Sequence, residues 1–315
     1  AEDGIRDRDV TGVQTCALPI LPFQYATTRN FFAVSPYTTQ DFVVIGAPVD
    51  CATSFRSGSR MAPNAIRDAS MMLIDGVHPR YPVDITQWVG DAGDMALPSG
   101  NTEAILDKIE SYITGFTKEH VITLGGDHSI TLGILRAHTR VHSDIAVVHF
   151  DAHCDTWQSH FGEPHGHGTW MYNAVEDKLI SANYSISIGV RSPADTATRE
   201  YLSKKGGTTM SARQASNYNP LVMADIIKAK VAGRPAYLTL DIDCLDPAYA
   251  PGTGTPEIGG LSTIWMLELL ENLQGINWIG MDCVEVNPAY DHGQITALAA
   301  ATFVWQYLSM IVTKN

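Results

Sequence analysis

The stretch DIAVVHFDAHCD, residues 144–155, runs from an apolar segment straight into a row of titratable side chains. Its apolar part, DIAVVHF, is continuous rather than alternating, the pattern of a strand covered on both faces. Toward its end, His149, Asp151, His153 and Asp155 stand at every second position. In an extended chain every second side chain points the same way. A row of carboxylates and imidazoles is costly to bury unless cationic charge lies opposite. The stretch therefore predicts a strand whose end carries a solvated edge, an ion-pair network or a metal.

Comparable apolar runs recur at FVVIGAP (42–48), HVITLGG (120–126), YSISIGV (184–190), AYLTLDI (236–242) and WIGMDCVEV (278–286). Between them, segments 101–116, 129–138, 219–232 and 262–275 place apolar residues three and four apart, the helical period. Asn101 and Ser262 stand where helix N-caps belong. This alternation predicts a single α/β domain with a mostly parallel sheet and helices on both faces. In such sheets ligands bind beyond the carboxyl ends of the strands. Three strand ends meet that rule with the same chemistry. The run ending at Phe150 delivers Asp151, His153 and Asp155; LDIDCLDP delivers Asp241, Asp243 and Asp246; GGDHS delivers Asp127 and His128 at a helix start. D-x-H-x-D alone is moderately specific, whereas three such ends together point to a metal site.

The chain has 315 residues, 45% apolar and 17% charged, enough for one large domain, taken as 21–315. With no uninterrupted apolar run of about 18 residues, no membrane span is expected. The formal net charge of −13 argues against nucleic acid and suits a small cationic ligand. Five cysteines without framework spacing or a C-x-x-C fit a reducing cytoplasm. Cys51, Cys154, Cys244 and Cys283 are expected as small apolar filler. The stretch EDGIRDRDVTGVQTCALPI (2–20) has neither structural periodicity nor a basic signal-peptide start. Residues 1–20 read as translated adapter sequence or a disordered tail and are set apart from the domain.

The blocks GGDHS, FDAHCD, LDIDCLDPAYAPGTGTPEIGGL and DCVEVNPAYD, in that order between about residues 22 and 310, resemble the ureohydrolase (arginase/agmatinase) family. GAPVDCATSFRSG (46–58) and ITALAAAT (295–302) look most like its bacterial agmatinases. The resemblance implies an arginase-like three-layer sandwich, a homo-trimer or homo-hexamer, and two Mn²⁺ per subunit. It implies that His128, Asp151, Asp155 and Asp241 hold one ion. His153, Asp151, Asp241 and Asp243 would hold the other, with Asp151 and Asp241 bridging. Glu285 matches the family's guanidinium-binding glutamate and His167 its proton-shuttling histidine; both join Asp155 as expected catalytic residues. The donor chemistry agrees, because four carboxylates and two imidazoles form an oxygen-dominated shell suited to Mn²⁺. Four negative charges also balance two divalent ions.

The reaction implied is hydrolysis of a small cationic guanidino compound. A guanidinium stays protonated, its pKa lying above about 12, and neutral water attacks it poorly. Metal binding lowers the pKa of water from about 15.7 to roughly 7, and hydroxide added to the guanidinium carbon releases an amine and urea. Arginases of this family grip the α-carboxylate and α-amino group with Ser and Asn after D-x-H-x-D. TWQSHFGEPHGH here lacks that pattern, which favours agmatine, giving putrescine and urea, over arginine. Guanidinobutyrate and guanidinopropionate remain alternatives with the same chemistry; a formiminoglutamate hydrolase fits less well. Zinc-dependent deacetylases of related fold use one zinc and a paired His-His, which is missing here.

Each choice has a plainer competitor. His149 is expected to be hydrogen-bonded in the strand and not bound to metal, and Asp127 and Asp246 to support the ligands from outside or to shape turns. His160 and His165 are expected to be solvated, His165 being the nearest competitor to His167. The glycines of PGTGTPEIGG serve turns rather than phosphates, with no phosphate-loop signature present. Arg56, Arg60 and Arg67 are expected to anchor loops or an interface. Cys154 should point away from the metals.

Overall fold

The structure, a computed structural model, describes residues 29–74, 77–116 and 118–313. The expectation for residues 1–20 lies outside them. The first half of the chain forms β1 (Phe42–Gly46), α1 (Ala62–Ser70), β2 (Val89–Asp94), α2 (Thr102–Thr114), β3 (His120–Leu124), α3 (Ile130–His138), β4 (Ala146–Phe150) and α4 (Trp170–Glu176). The second half adds β5 (Ile186–Val190), α5 (Thr196–Lys204), β6 (Thr208–Ser211), α6 (Ala212–Ala215), α7 (Pro220–Val231), β7 (Pro235–Asp241), α8 (Thr263–Glu271), β8 (Asn277–Val284) and α9 (Ile295–Val312). The strands make one sheet in the order β2-β1-β3-β8-β7-β4-β5-β6. Every pairing is parallel.

Side-chain alternation divides the core into two layers. Val44, Ile122, Val148, Leu238 and Met281 face a layer built by α1, α7, α8 and α9. Ile45, Val121, Val147, Tyr237 and Val284 face α2, α3 and α4. This is why the interior strands read as unbroken apolar runs: both faces are dry. Helix α2 shows how a helix joins a layer. Asn101 caps it by accepting from Ala104 N at 2.9 Å, and Ile105, Leu106, Ile109 and Ile113 bury its inner stripe. Each such fully buried side chain is worth about 1.5–3 kcal/mol. Ser262 caps α8 in the same way, accepting from Trp265 N at 3.3 Å.

Two strands were not expected, β2 (VGDAGD) and β6 (TTMS). Both lie at sheet edges, where one side is unpaired and little apolar surface needs burying. Helix α9 comes nearest to a long apolar segment, although Thr296, Thr302, Gln306 and Ser309 interrupt it. It is 18 residues long with mean hydropathy 1.6, enough by length and composition to cross a membrane. Since 78% of it is buried, it serves as a central core helix. Arg67 is fully buried and paired with Asp91 at 2.8 Å and Asp94 at 2.6 Å, tying α1 to the β2 edge. Arg60 pairs with Asp50 and anchors its loop. Of the four described cysteines, Cys154, Cys244 and Cys283 are buried as expected, whereas Cys51 is exposed.

Candidate metal centre and active site

Strands β3, β8, β7 and β4 are consecutive in the centre of the sheet, and their carboxyl ends bring together all six expected ligands. The alternation that begins in β4 persists only partly beyond it. The strand stops at Phe150, the chain bends, and Asp155 adopts a left-handed conformation with φ 52°. The row of side chains is thus carried round by a turn, not by a continued strand.

Two clusters result. In the first, His128 Nδ1 lies 3.0 Å from Asp151 Oδ2, 3.2 Å from Asp155 Oδ2 and 3.3 Å from Asp241 Oδ2. None of these contacts has hydrogen-bond geometry, so Nδ1 is a buried polar atom without a hydrogen-bond partner. In the second, His153 Nδ1 lies 3.2 Å from Asp151 Oδ1 and 3.1 Å from Asp243 Oδ2. Asp151 therefore gives one oxygen to each cluster. The remaining oxygens are tethered to backbone: Asp241 Oδ1 accepts from Asp243 N at 2.8 Å and Asp243 Oδ1 from Ala152 N at 3.0 Å. His128 is fixed from behind, its Nε2 lying 2.8 Å from Thr239 Oγ1.

The electrostatics of this arrangement call for cations. Burial together with Asp243 and Asp151 pushes the Asp241 carboxyl well above its ordinary value. Burial opposes protonation of His128 and His153, yet the facing carboxylates outweigh it and hold both imidazole protons well above the usual range. A nitrogen ringed by three carboxylate oxygens without hydrogen bonds suits a divalent ion at their centre, which would replace those protons. The residues present fit a pair of hard-to-borderline divalent metals.

His149 lies beside the first cluster, with Nε2 2.8 Å from Asp151 Oδ2 and Nδ1 3.0 Å from Ser187 Oγ. It is hydrogen-bonded, as expected, and its partner is a cluster carboxylate. Asp127 shapes the turn before α3, accepting from Ala52 N and from Ser129 N at 3.0 Å each. Asp246 likewise accepts from Ala248 N and Gly259 N.

Glu285 and His167 form a pair next to the clusters. Glu285 Oε1 accepts from His128 N at 3.0 Å and lies 2.9 Å from His167 Nδ1. Its Oε2 is buried without a partner. Glu285 has φ 63°, a costly conformation for a residue with a side chain and typical of functional sites. Its N–H bonds Gly126 O at 2.8 Å. Gly126 is required there, because a Cβ would fall 1.9 Å from Val49 O. His167 Nε2 faces Ser54 Oγ at 2.8 Å. Burial lowers the affinity of His167 for its proton, but Glu285, Asp127 and Asp155 raise it more, to a pKa of about 9. His165 instead turns to Glu103, at 3.0 Å, so His167 is the histidine at the site. His160 departs from the solvated expectation: it stacks on Trp157 with centroids 4.8 Å apart and lines the cavity.

A cavity of about 470 Å³ leads to these groups. His153, Asp155, Asp241 and His167 line its buried part, and the exposed rings of Phe55 and Phe161 mark its rim, with Arg56, Trp157 and Glu257 also in the wall. The Arg56 guanidinium lies 4.6 Å from the Tyr290 ring centroid and 5.1 Å from that of Phe55. Among the described residues no carboxylate is paired with it.

Several contributors carry no sign in the sequence. Trp170 donates its indole N–H to Asp155 Oδ2 at 2.8 Å. Arg191 donates from Nη2 to the carbonyls of Asp243 at 2.8 Å, Leu245 at 3.1 Å and Glu257 at 2.6 Å. It thus ties a ligand loop to the cavity wall.

Comparison with known proteins gives a consistent picture. The profile of the arginase family matches residues 40–309. An agmatinase from Proteus mirabilis is 41% identical over 287 residues, covering 89% of this chain and 90% of that protein. The crystal structure of a hypothetical agmatinase from Burkholderia thailandensis superposes with a TM-score of 0.85 at 38% identity, covering 92% of each chain. Proclavaminate amidino hydrolase from Streptomyces clavuligerus superposes with a TM-score of 0.86 at 36% identity, covering 92% of this chain and 99% of that one.

Proposed function

Starting from the premise that this chain belongs to the arginase family, we propose that it hydrolyses agmatine to putrescine and urea with two manganese ions. It is a ureohydrolase acting on a guanidino compound. The observation that carries the finer reading is the pair of clusters sharing Asp151, with the unpartnered Oε2 of Glu285 beside them. His128, Asp151, Asp155 and Asp241 would hold one ion, and His153, Asp151, Asp241 and Asp243 the other. Two divalent ions held there would supply hydroxide at neutral pH, since metal binding lowers the pKa of water from about 15.7 toward about 7.

The protein's own groups do the rest. Glu285 orients the substrate by accepting a guanidinium N–H at Oε2, while His128 N and His167 keep Oε1 from turning away. His167 lies beside Glu285, which favours its protonated form, and would pass a proton from Nε2 to the leaving amine. The Ser54 hydroxyl can donate to that nitrogen or accept from it, whereas the Ser54 N–H, 3.1 Å away, only donates to it. The aromatic wall of Trp157, Phe55 and Phe161 suits the aliphatic chain of agmatine, and the Glu257 carboxylate suits its distal ammonium. On the same reading the enzyme works in the cytoplasm as a homo-trimer or homo-hexamer.

A second reading rests on Arg56. A cation in the cavity wall without a carboxylate partner suits the acid group of guanidinobutyrate or guanidinopropionate. Urea release by the Mn²⁺-loaded protein, with agmatine, L-arginine, 4-guanidinobutyrate and 3-guanidinopropionate in parallel, separates the two. Preference for agmatine that weakens in Glu257→Gln supports the first reading. Preference for a guanidino acid that weakens in Arg56→Gln replaces it with the second. Urea from none of the four, with two ions bound, refutes both.

A further inference from the structure

Trp170, the largest fully buried side chain described, sits against polar groups. Its indole N–H donates to Asp155 Oδ2 at 2.8 Å, the same oxygen that faces His128 Nδ1 at 3.2 Å. Its ring overlies His128 with centroids 4.9 Å apart and an interplanar angle of 30°, and meets His149 edge-on at 5.2 Å and 87°. The backbone beside it acts on the same residue: Met171 N and Tyr172 N donate to the Asp155 carbonyl at 3.1 and 3.3 Å. The start of α4 thus grips Asp155 at three points and holds it in the left-handed conformation it would otherwise leave. The contacts to Asp155 and His128 fall on the first cluster, and His149 in turn meets Asp151 Oδ2, the oxygen that faces His128; His153 and Asp243 belong to the second.

We propose that Trp170 is a positioning residue that makes the His128–Asp155 metal position the tighter of the two. The inference rests on the dimetal reading above. A carboxylate fixed by an N–H donor presents one defined lone pair to an ion and loses little rotational freedom on binding it. The indole face also excludes water from His128. Outer hydrogen-bond partners of this kind typically change metal affinity by about 10- to 100-fold.

Trp170→Phe removes the donor and keeps an aromatic ring. The metal-free protein is titrated with Mn²⁺ while the unbound ion is followed by its electron paramagnetic resonance signal. The expected result is two sites in the wild type, and in the variant the tighter of them weakened by about 10- to 100-fold with the looser unchanged; weakening of the looser site alone overturns the proposal. Both sites weakened alike, or neither, overturns the proposal. A wild-type protein that binds no Mn²⁺ overturns instead the dimetal reading beneath it. If Trp170→Phe does not fold, wild-type protein labelled with ¹⁵N at its indoles carries the test. One indole N–H resonance must then move with the first equivalent of Zn²⁺ and stay put with the second. No indole resonance moving with the first equivalent overturns the proposal.

Discussion

Replacing Glu285 by Gln is the sharpest perturbation of the site, because it keeps the shape and removes one charge. In the free protein Glu285 is among the groups that raise the Asp127 and Asp241 carboxyls, so neutralising it relieves repulsion. Against this stands the lost pairing with the His167 imidazolium, 2.9 Å away, so the metal-free variant should melt close to the wild-type temperature. With substrate present the guanidinium held against Oε2 loses a carboxylate oxygen that has no hydrogen-bond partner of its own. Removing one member of a buried charged pair costs about 3–5 kcal/mol, which at about 1.4 kcal/mol per decade is roughly two to four orders of magnitude in kcat/KM. The glutamine retains one acceptor for His128 N or His167, placing the loss toward the lower end. Urea release at sub-saturating agmatine measures kcat/KM, and elemental analysis measures manganese. The reasoning is refuted if kcat/KM stays within about tenfold of wild type, or if the variant binds fewer than two ions, which would make Glu285 a ligand.

Other perturbations test separate parts of the site. His167 has a raised pKa, so its imidazolium contributes stability that is complete below the ordinary histidine value of about 6.5 and is lost as pH rises through about 9. Melting curves of His167→Asn should therefore show a flatter fall over that window than the wild type; superimposable profiles would contradict the assignment. Cys154 is buried between two expected ligands, and Cys154→Ser should keep both ions and most activity at a stability cost of about 1–3 kcal/mol for burying a hydroxyl. Manganese loss in that variant would mean the thiol side faces the centre. Arg191→Gln removes charge-assisted bonds to the Asp243, Leu245 and Glu257 carbonyls, each worth about 1.5–3 kcal/mol. Its Mn²⁺ titration should weaken the site that uses Asp243 more than the other, whereas equal loss at both would assign Arg191 to general stability.

The parts of the fold legible in the sequence are those where burial on both faces leaves a residue-type signature. Strands β1, β3, β4, β5, β7 and β8 announce themselves in this way, and β2 and β6 do not, because edge strands need no apolar run. The grouping of the expected ligands was legible for a related reason: a two-residue period at a strand end is a local pattern, and the strand-end rule joins distant patterns at one edge of the sheet. The groups that orient them follow no local pattern. Trp170 meets Asp155 from fifteen positions away, Thr239 meets His128 across 111, and Glu285 meets His167 across 118. The choice between His165 and His167 likewise depended on which one the loop turns inward, which spacing alone does not determine.

The central strands are adjacent in space in the order β3, β8, β7, β4, although β3 and β4 are neighbours in the sequence and β7 and β8 are made last. On the ribosome the first half of the catalytic centre therefore emerges with a gap two strands wide. A nascent chain that let β3 zip directly onto β4 would have to open again to admit β7 and β8. Such non-local pairing is slow to form, and an early chain exposes unpaired strand edges. All six expected ligands have been made once β7 lies beside β4, and Glu285 joins them only with β8. The centre of the sheet is thus the last part of it to close, and the groups that meet there are the last to find one another.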